Sequence, residues 1–172
     1  MRKLVFAVAA FLWFPLLADA NSAKLTPADT VATLDFPDSW KISNIKRGIE
    51  AQSPDQEVYV WAELVPSDEV DAVQKEHDAY FEKQKQKLTM AKADPVAKDV
   101  DGRQWAFIEP QSTWKGKPTL VTYIIINPKV ASDKIIVFTY WASLEGDKNY
   151  DKEMDGLINS LRASLAKNGA KL

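Results

Sequence analysis

His77 is the only histidine in this 172-residue chain, and there is no cysteine. A multi-histidine metal site and a two-imidazole relay are therefore excluded. A zinc ion would have to rest almost entirely on carboxylates, against its preference for sulfur and imidazole. His77 falls on an apolar stripe at helical spacing and reads as a packed, hydrogen-bonded imidazole. General-base work would also need an orienting partner. Its sequence neighbours Glu76 and Asp78 do not face it on a helix. Glu63 and Glu109 lie in strand-like segments near Trp61 and Trp105. Two carboxylates meeting in one cleft can do acid–base work, so a small hydrolase or isomerase using strand carboxylates is the alternative reading. It requires Glu63 and Glu109 to share a pocket; otherwise they are solvated or hydrogen-bonded strand residues, as most glutamates are. No G-x-S-x-G, P-loop or G-x-G-x-x-G pattern occurs, and Asp101-Gly102 is a turn rather than a phosphate cradle. No cofactor and no catalytic residue is expected.

Aromatic residues are the second chemical resource. Of six tryptophans, Trp13 lies near the start, leaving Trp40, Trp61, Trp105, Trp114 and Trp141. Some could line a groove for an apolar ligand or a protein partner. Tyr59, Trp61 and Trp114 are the binding-face candidates. Tyr59 and Trp61 share a strand face with Glu63, a mixture suited to a partly wet surface, and Trp114 sits in a turn before Lys115. The competing reading packs Trp61 under a helix and lays Trp114 over the sheet edge, since large aromatics tend to be buried. Trp40 reads as a core plug. Lys83, Lys85, Lys87 and Lys92 could touch an acidic membrane surface. Gln84 and Gln86 interrupt them, so they read as a solvated helix face. The formal charge of −2, with no basic block, gives nucleic-acid binding little support.

The elements that must position these residues follow from periodicity. Thr30–Phe36 alternates as a strand, Pro37-Asp38-Ser39 turns, and Trp40–Ile45 and Ile49–Gln52 flank a hairpin at Gly48. Glu57–Val65 is the clearest early strand, and Pro66 ends it. Ser67-Asp68-Glu69 predicts a capped helix start, with the helix running to about Met90. Val96–Val100 and Arg103–Glu109 form a hairpin across Asp101-Gly102. Thr119–Ile126 and Lys134–Ala142 are apolar on both faces and need cover on both sides. A helix from about Asp147 to Ala166 carries the stripe Tyr150, Met154, Leu157, Ile158, Leu161 and Leu165. The expected fold is α+β: an antiparallel sheet of about six to seven strands flanked by a long central helix and a C-terminal helix.

The first twenty residues stand apart. Arg2 and Lys3, the apolar run Leu4–Leu17 and Ala18-Asp19-Ala20 form a secretory signal cleaved between Ala20 and Asn21. The run is shorter than the roughly 20 residues that a membrane span needs. Residues 1–20 are thus read as signal peptide and 21–172 as one domain, with Asn21–Asp29 a loose start. The destination is periplasmic or secreted, and the processed chain is not an integral membrane protein.

Phe36-Pro37-x-x-Trp40 after a first strand, and Leu157-Ile158-x-Ser160-Leu161 in the last helix, resemble the PsbP-like superfamily. That group includes the photosystem II extrinsic protein PsbP, the Ran-binding Mog protein and the bacterial DcrB-like envelope proteins. The resemblance spans about Thr30 to Ala166. It implies a sheet sandwiched between helices and a small exported protein of unknown activity. The resulting expectation is a non-catalytic binding or assembly module whose partner is an envelope protein or a small apolar ligand.

Overall fold

The computed structural model describes residues 20–25, 31–84, 88–129 and 133–169. Its strands are β1 (Ala20–Lys24), β2 (Thr33–Pro37), β3 (Lys41–Ile45), β4 (Gly48–Gln52), β5 (Val58–Pro66), β6 (Leu88–Met90), β7 (Val96–Val100), β8 (Arg103–Ile108), β9 (Ser112–Trp114), β10 (Lys117–Ile126) and β11 (Lys134–Ser143). The helices are α1 (Val70–Gln84), α2 (Leu144–Asn149) and α3 (Asp151–Gly169), with a 3-10 turn at Ser67–Glu69. The main sheet runs β3-β4-β5-β11-β10-β8-β7, with β9 also paired to β10 and β6 to β9. Every pairing is antiparallel. β1 and β2 form a separate two-stranded sheet.

The two-faced apolar strands are covered as their composition requires. On one face Val60, Ala62, Ile136, Phe138 and Ile124 pack with Leu157, Leu161 and Leu165 of α3 and with Leu34 and Phe36 of β2. On the other, Tyr59, Val121, Tyr123 and Trp141 pack with Phe81 of α1, and Val65 and Val137 with Val73. Trp40 closes the first core. It is 5% exposed and meets Tyr150 edge-on at 5.6 Å and Phe36 at 6.0 Å, after a turn in which its amide donates to the Pro37 carbonyl.

α3 also covers the second edge of β2 with hydroxyls. The amides of Thr33 and Asp35 donate to Ser164 Oγ and Ser160 Oγ, each at 2.9 Å. Asn168 Nδ2 donates to the Val31 carbonyl at 3.0 Å. Residues 160, 164 and 168 are four apart, one per turn, so one helix face serves one strand edge.

Several sequence expectations need correcting. The main sheet has nine strands, not six to seven. β6 and β9 are three residues long, too short to display alternation, and arise from the cross-strand pairing Leu88↔Trp114 through Met90↔Ser112. The segment expected to start loosely contains β1, whose polar residues are held by a ladder from Ala20↔Pro37 to Lys24↔Thr33. The long helix ends at Gln84, and pairing with β9 makes Leu88–Met90 a strand. Ser67 gives no side-chain cap; Pro66 precedes the 3-10 turn without one. The last helix starts earlier and breaks at Tyr150: Ser143 Oγ caps α2 by accepting the Gly146 amide at 2.9 Å. Gly146 is needed there, because a Cβ would come within 2.5 Å of the Glu57 carbonyl oxygen. Of the residues read as a signal peptide, 1–19 lie outside the described residues; Ala20 and Asn21 open β1.

Candidate functional site

The strongest polar cluster joins α1 to the middle of the sheet. Glu63 lies on β5 and Thr139 opposite Trp61 on β11, so both present side chains to the face beneath α1. His77 reaches down from α1 between them. Its Nε2 is 2.7 Å from Glu63 Oε2 and its Nδ1 is 2.7 Å from Thr139 Oγ1. Arg47, in the turn between β3 and β4, donates from Nε to Glu63 Oε1 at 3.1 Å and from a terminal nitrogen to Glu76 at 2.5 Å. Asp78 accepts a short hydrogen bond from the Tyr123 hydroxyl. Three consecutive residues of α1, Glu76, His77 and Asp78, thus each bond to a different strand or turn.

Burial alone would push the Glu63 carboxyl up. The hydrogen bond and charge of His77, then those of Arg47, outweigh burial and hold it below the ordinary carboxylate range. An ionised Glu63 can only accept, so His77 Nε2 carries the donated proton. The order acid–imidazole–hydroxyl is the one used in nucleophilic catalysis. It is sealed, however: Glu63 is 3%, His77 2% and Thr139 0% exposed. Trp61 stacks on the imidazole with ring centres 4.1 Å apart and closes the remaining side. The arrangement anchors a helix; a substrate has no approach to it.

Glu63 and Glu109 are not brought together. Glu63 is bound into the α1 anchor, whereas Glu109 is exposed on the connection from β8 to β9. β11 and β10 stand between their strands. Glu109 borders a groove of about 790 Å³ whose lining includes Leu120, Val121, Thr89, Ser112 and Thr122.

Of the aromatic candidates, Tyr59 is buried and donates its hydroxyl to Glu50 Oε2 at 2.7 Å. Burial and hydrogen bonds to Tyr80 and Glu50 raise its pKa. Trp61 is half-buried beneath α1, with Tyr80 at 4.5 Å and its indole N–H directed to Glu50 at 3.3 Å. Trp114 differs. Its ring meets Trp141 edge-on at 5.5 Å, and Lys115 Nζ sits 4.1 Å from its centre. It borders a groove of about 540 Å³ with Pro118, Leu144, Lys115, Lys117, Glu57 and Glu145. Leu144 is 54% exposed and gave no signal in sequence, because it lies where a strand was expected to have ended. Lysines 85 and 87 of the helix-end cluster lie outside the described residues, and Lys83 and Lys92 are exposed.

Among the described residues no group of histidine and acidic side chains is placed to hold a metal, and no helix is long and apolar enough to cross a membrane.

This large antiparallel sheet with helices on both faces is a fold shared with a solved structure. The solution structure of cyanobacterial PsbP (CyanoP) from Synechocystis sp. PCC 6803 superposes with a TM-score of 0.57 over 91% of this chain and 96% of that chain, at 11% identity. The likeness is one of fold. A crystal structure of a protein of unknown function, PA94 from Pseudomonas aeruginosa, matches at a TM-score of 0.36 and 12% identity, over 83% of this chain and 95% of that one. No family model and no curated protein matches the chain.

Proposed function

We propose that this protein is a non-catalytic binding or assembly module of the cell envelope, exported by its first twenty residues and working through the surface around Trp114. The observation that carries the reading is the sealed Glu63–His77–Thr139 cluster. The one imidazole of the chain, with its carboxylate and hydroxyl partners, is committed to holding α1 on the sheet. The PsbP-like fold is in keeping with an accessory role. The separation of Glu63 from Glu109 weighs against a hydrolase or isomerase built on strand carboxylates. Cleavage between Ala20 and Asn21 would cost β1 only its terminal pair, Ala20↔Pro37, so processing and folding are compatible.

Tyr59 and Trp61 serve the packing under α1, which leaves Trp114, with Leu144 and Pro118, as the anchor of the binding face. Leu144 is exposed and Trp114 half-buried beside it, and such residues concentrate binding energy when a partner desolvates them. The partner is a protein of the envelope. Tagged wild-type protein and Leu144→Asp, recovered under gentle conditions from an envelope that also holds the untagged wild-type chain, test this. The partner band should be lost from the variant while the folded yield is kept. Equal recovery by both would remove this face from consideration.

A further inference from the structure

The groove beside Trp114 has two walls of opposite charge. One is the hairpin between β9 and β10, which carries Lys115 and Lys117. Lys115 and Gly116 both have positive φ, 54° and 75°, as a tight hairpin tip requires. A Cβ at Gly116 would meet nothing within 4 Å, so the tip stands clear of the protein. The other wall carries Glu57, before β5, and Glu145, at the start of α2. Among the described residues, no ion pair joins either lysine to either glutamate, and the side chains of Glu57, Glu145 and Lys117 have no charged partner. Between the walls lie Trp114, Pro118 and the exposed Leu144.

An apolar floor between a cationic and an anionic wall is self-complementary. In a contact related by a two-fold axis, the patch that offers i to j also offers j to i. A partner of one charge would satisfy one wall and oppose the other. We propose that the occupant of this groove is a second copy of the same chain. The hairpin tip of each copy lies against Glu57 and Glu145 of its mate, and the Leu144 and Trp114 side chains are buried between them. The formal charge is −2 for the whole chain and −3 once Arg2, Lys3 and Asp19 are removed with the first twenty residues, which leaves little net repulsion to oppose this contact. The proposal rests on the binding-face reading and names its partner.

Sedimentation velocity on the protein as the cell processes it, across a wide concentration range, is the test. Wild type should show a monomer–dimer equilibrium that weakens with added salt, because the paired charges are screened. The double reversals Lys115→Glu with Lys117→Glu, and Glu57→Lys with Glu145→Lys, should each be monomeric, and their equimolar mixture should recover the dimer. Thermal midpoints near wild type confirm that both variants are folded; if either reversal unfolds the chain, Leu144→Asp takes its place and should be monomeric. A wild type that stays monomeric throughout, or a dimer that survives both reversals, overturns the second copy. Cross-linking from residue 144 to a different envelope protein, with a monomer in solution, also overturns it but leaves the binding face standing. Absence of any adduct from that residue removes both.

Discussion

Removing the His77 imidazole would leave the Glu63 carboxylate buried with Arg47 as its remaining charged partner and Thr139 without its bond. Breaking a buried pair from one side costs about 3 to 5 kcal/mol, chiefly as uncompensated desolvation. His77→Ala should therefore lower the urea midpoint by that equivalent, and His77→Gln, which keeps a donor, by less. An unchanged midpoint would show that the cluster does not hold α1. The same carboxylate predicts a pH dependence. Its folded-state pKa lies below the ordinary value, so between the two the unfolded chain binds more protons and stability rises with pH. The contribution is complete above the ordinary carboxylate range and is lost as pH falls through the lower, folded value. Glu63→Gln removes it, so chemical denaturation at a series of acid pH values should give a shallower decline for the variant. Parallel declines would refute the assignment. The sequence placed His77 correctly on a buried stripe but gave no sign of its partner. Glu63 is fourteen residues away on a strand, and only the docking of α1 brings the two together.

At the scale of elements, α3 carries both a leucine stripe and a row of hydrogen-bonding side chains. Leu161 is 0% exposed at the centre of the larger core, and Leu161→Ala should cost about 2 to 5 kcal/mol. A denaturant midpoint equal to wild type would deny that this helix carries the core. The Ser160 hydroxyl, within the Leu157–Leu161 motif, accepts the Asp35 amide and itself donates to the Leu157 carbonyl at 2.7 Å. Ser160→Ala and Ser164→Ala should each cost about 1 kcal/mol. Amide exchange at Thr33 and Asp35 should rise most, and uniform exchange changes would contradict a local role. Long periodic elements were legible from sequence: α3, β5, β10 and β11 lie close to where alternation and helical spacing put them. The misses are short or polar. β1, β6 and β9 have no hydrophobic period of their own and exist because a neighbouring strand offers a ladder. Leu88 fits the stripe of α1 as well as it fits a strand, and pairing with Trp114 decides between them.

For the whole molecule, the aromatic residues divide by what covers them. Trp40 closes the end of one core against Tyr150, Trp61 lies under α1, and Trp114 remains at the border of an open groove. Composition could name these residues as large and apolar; it could not tell which face α1 would cover. The envelope form should begin at Asn21, and intact-mass measurement of that fraction should find Met1–Ala20 removed. A retained leader would contradict the proposed processing. The central claim, that the protein acts by binding through the Trp114–Leu144 surface, meets its most direct test inside the cell. A photo-cross-linking amino acid at position 144 should give one adduct of discrete mass on illumination, and the same group at Lys152, exposed on α3, should give none. No adduct at 144, or identical adducts at both positions, would contradict the account.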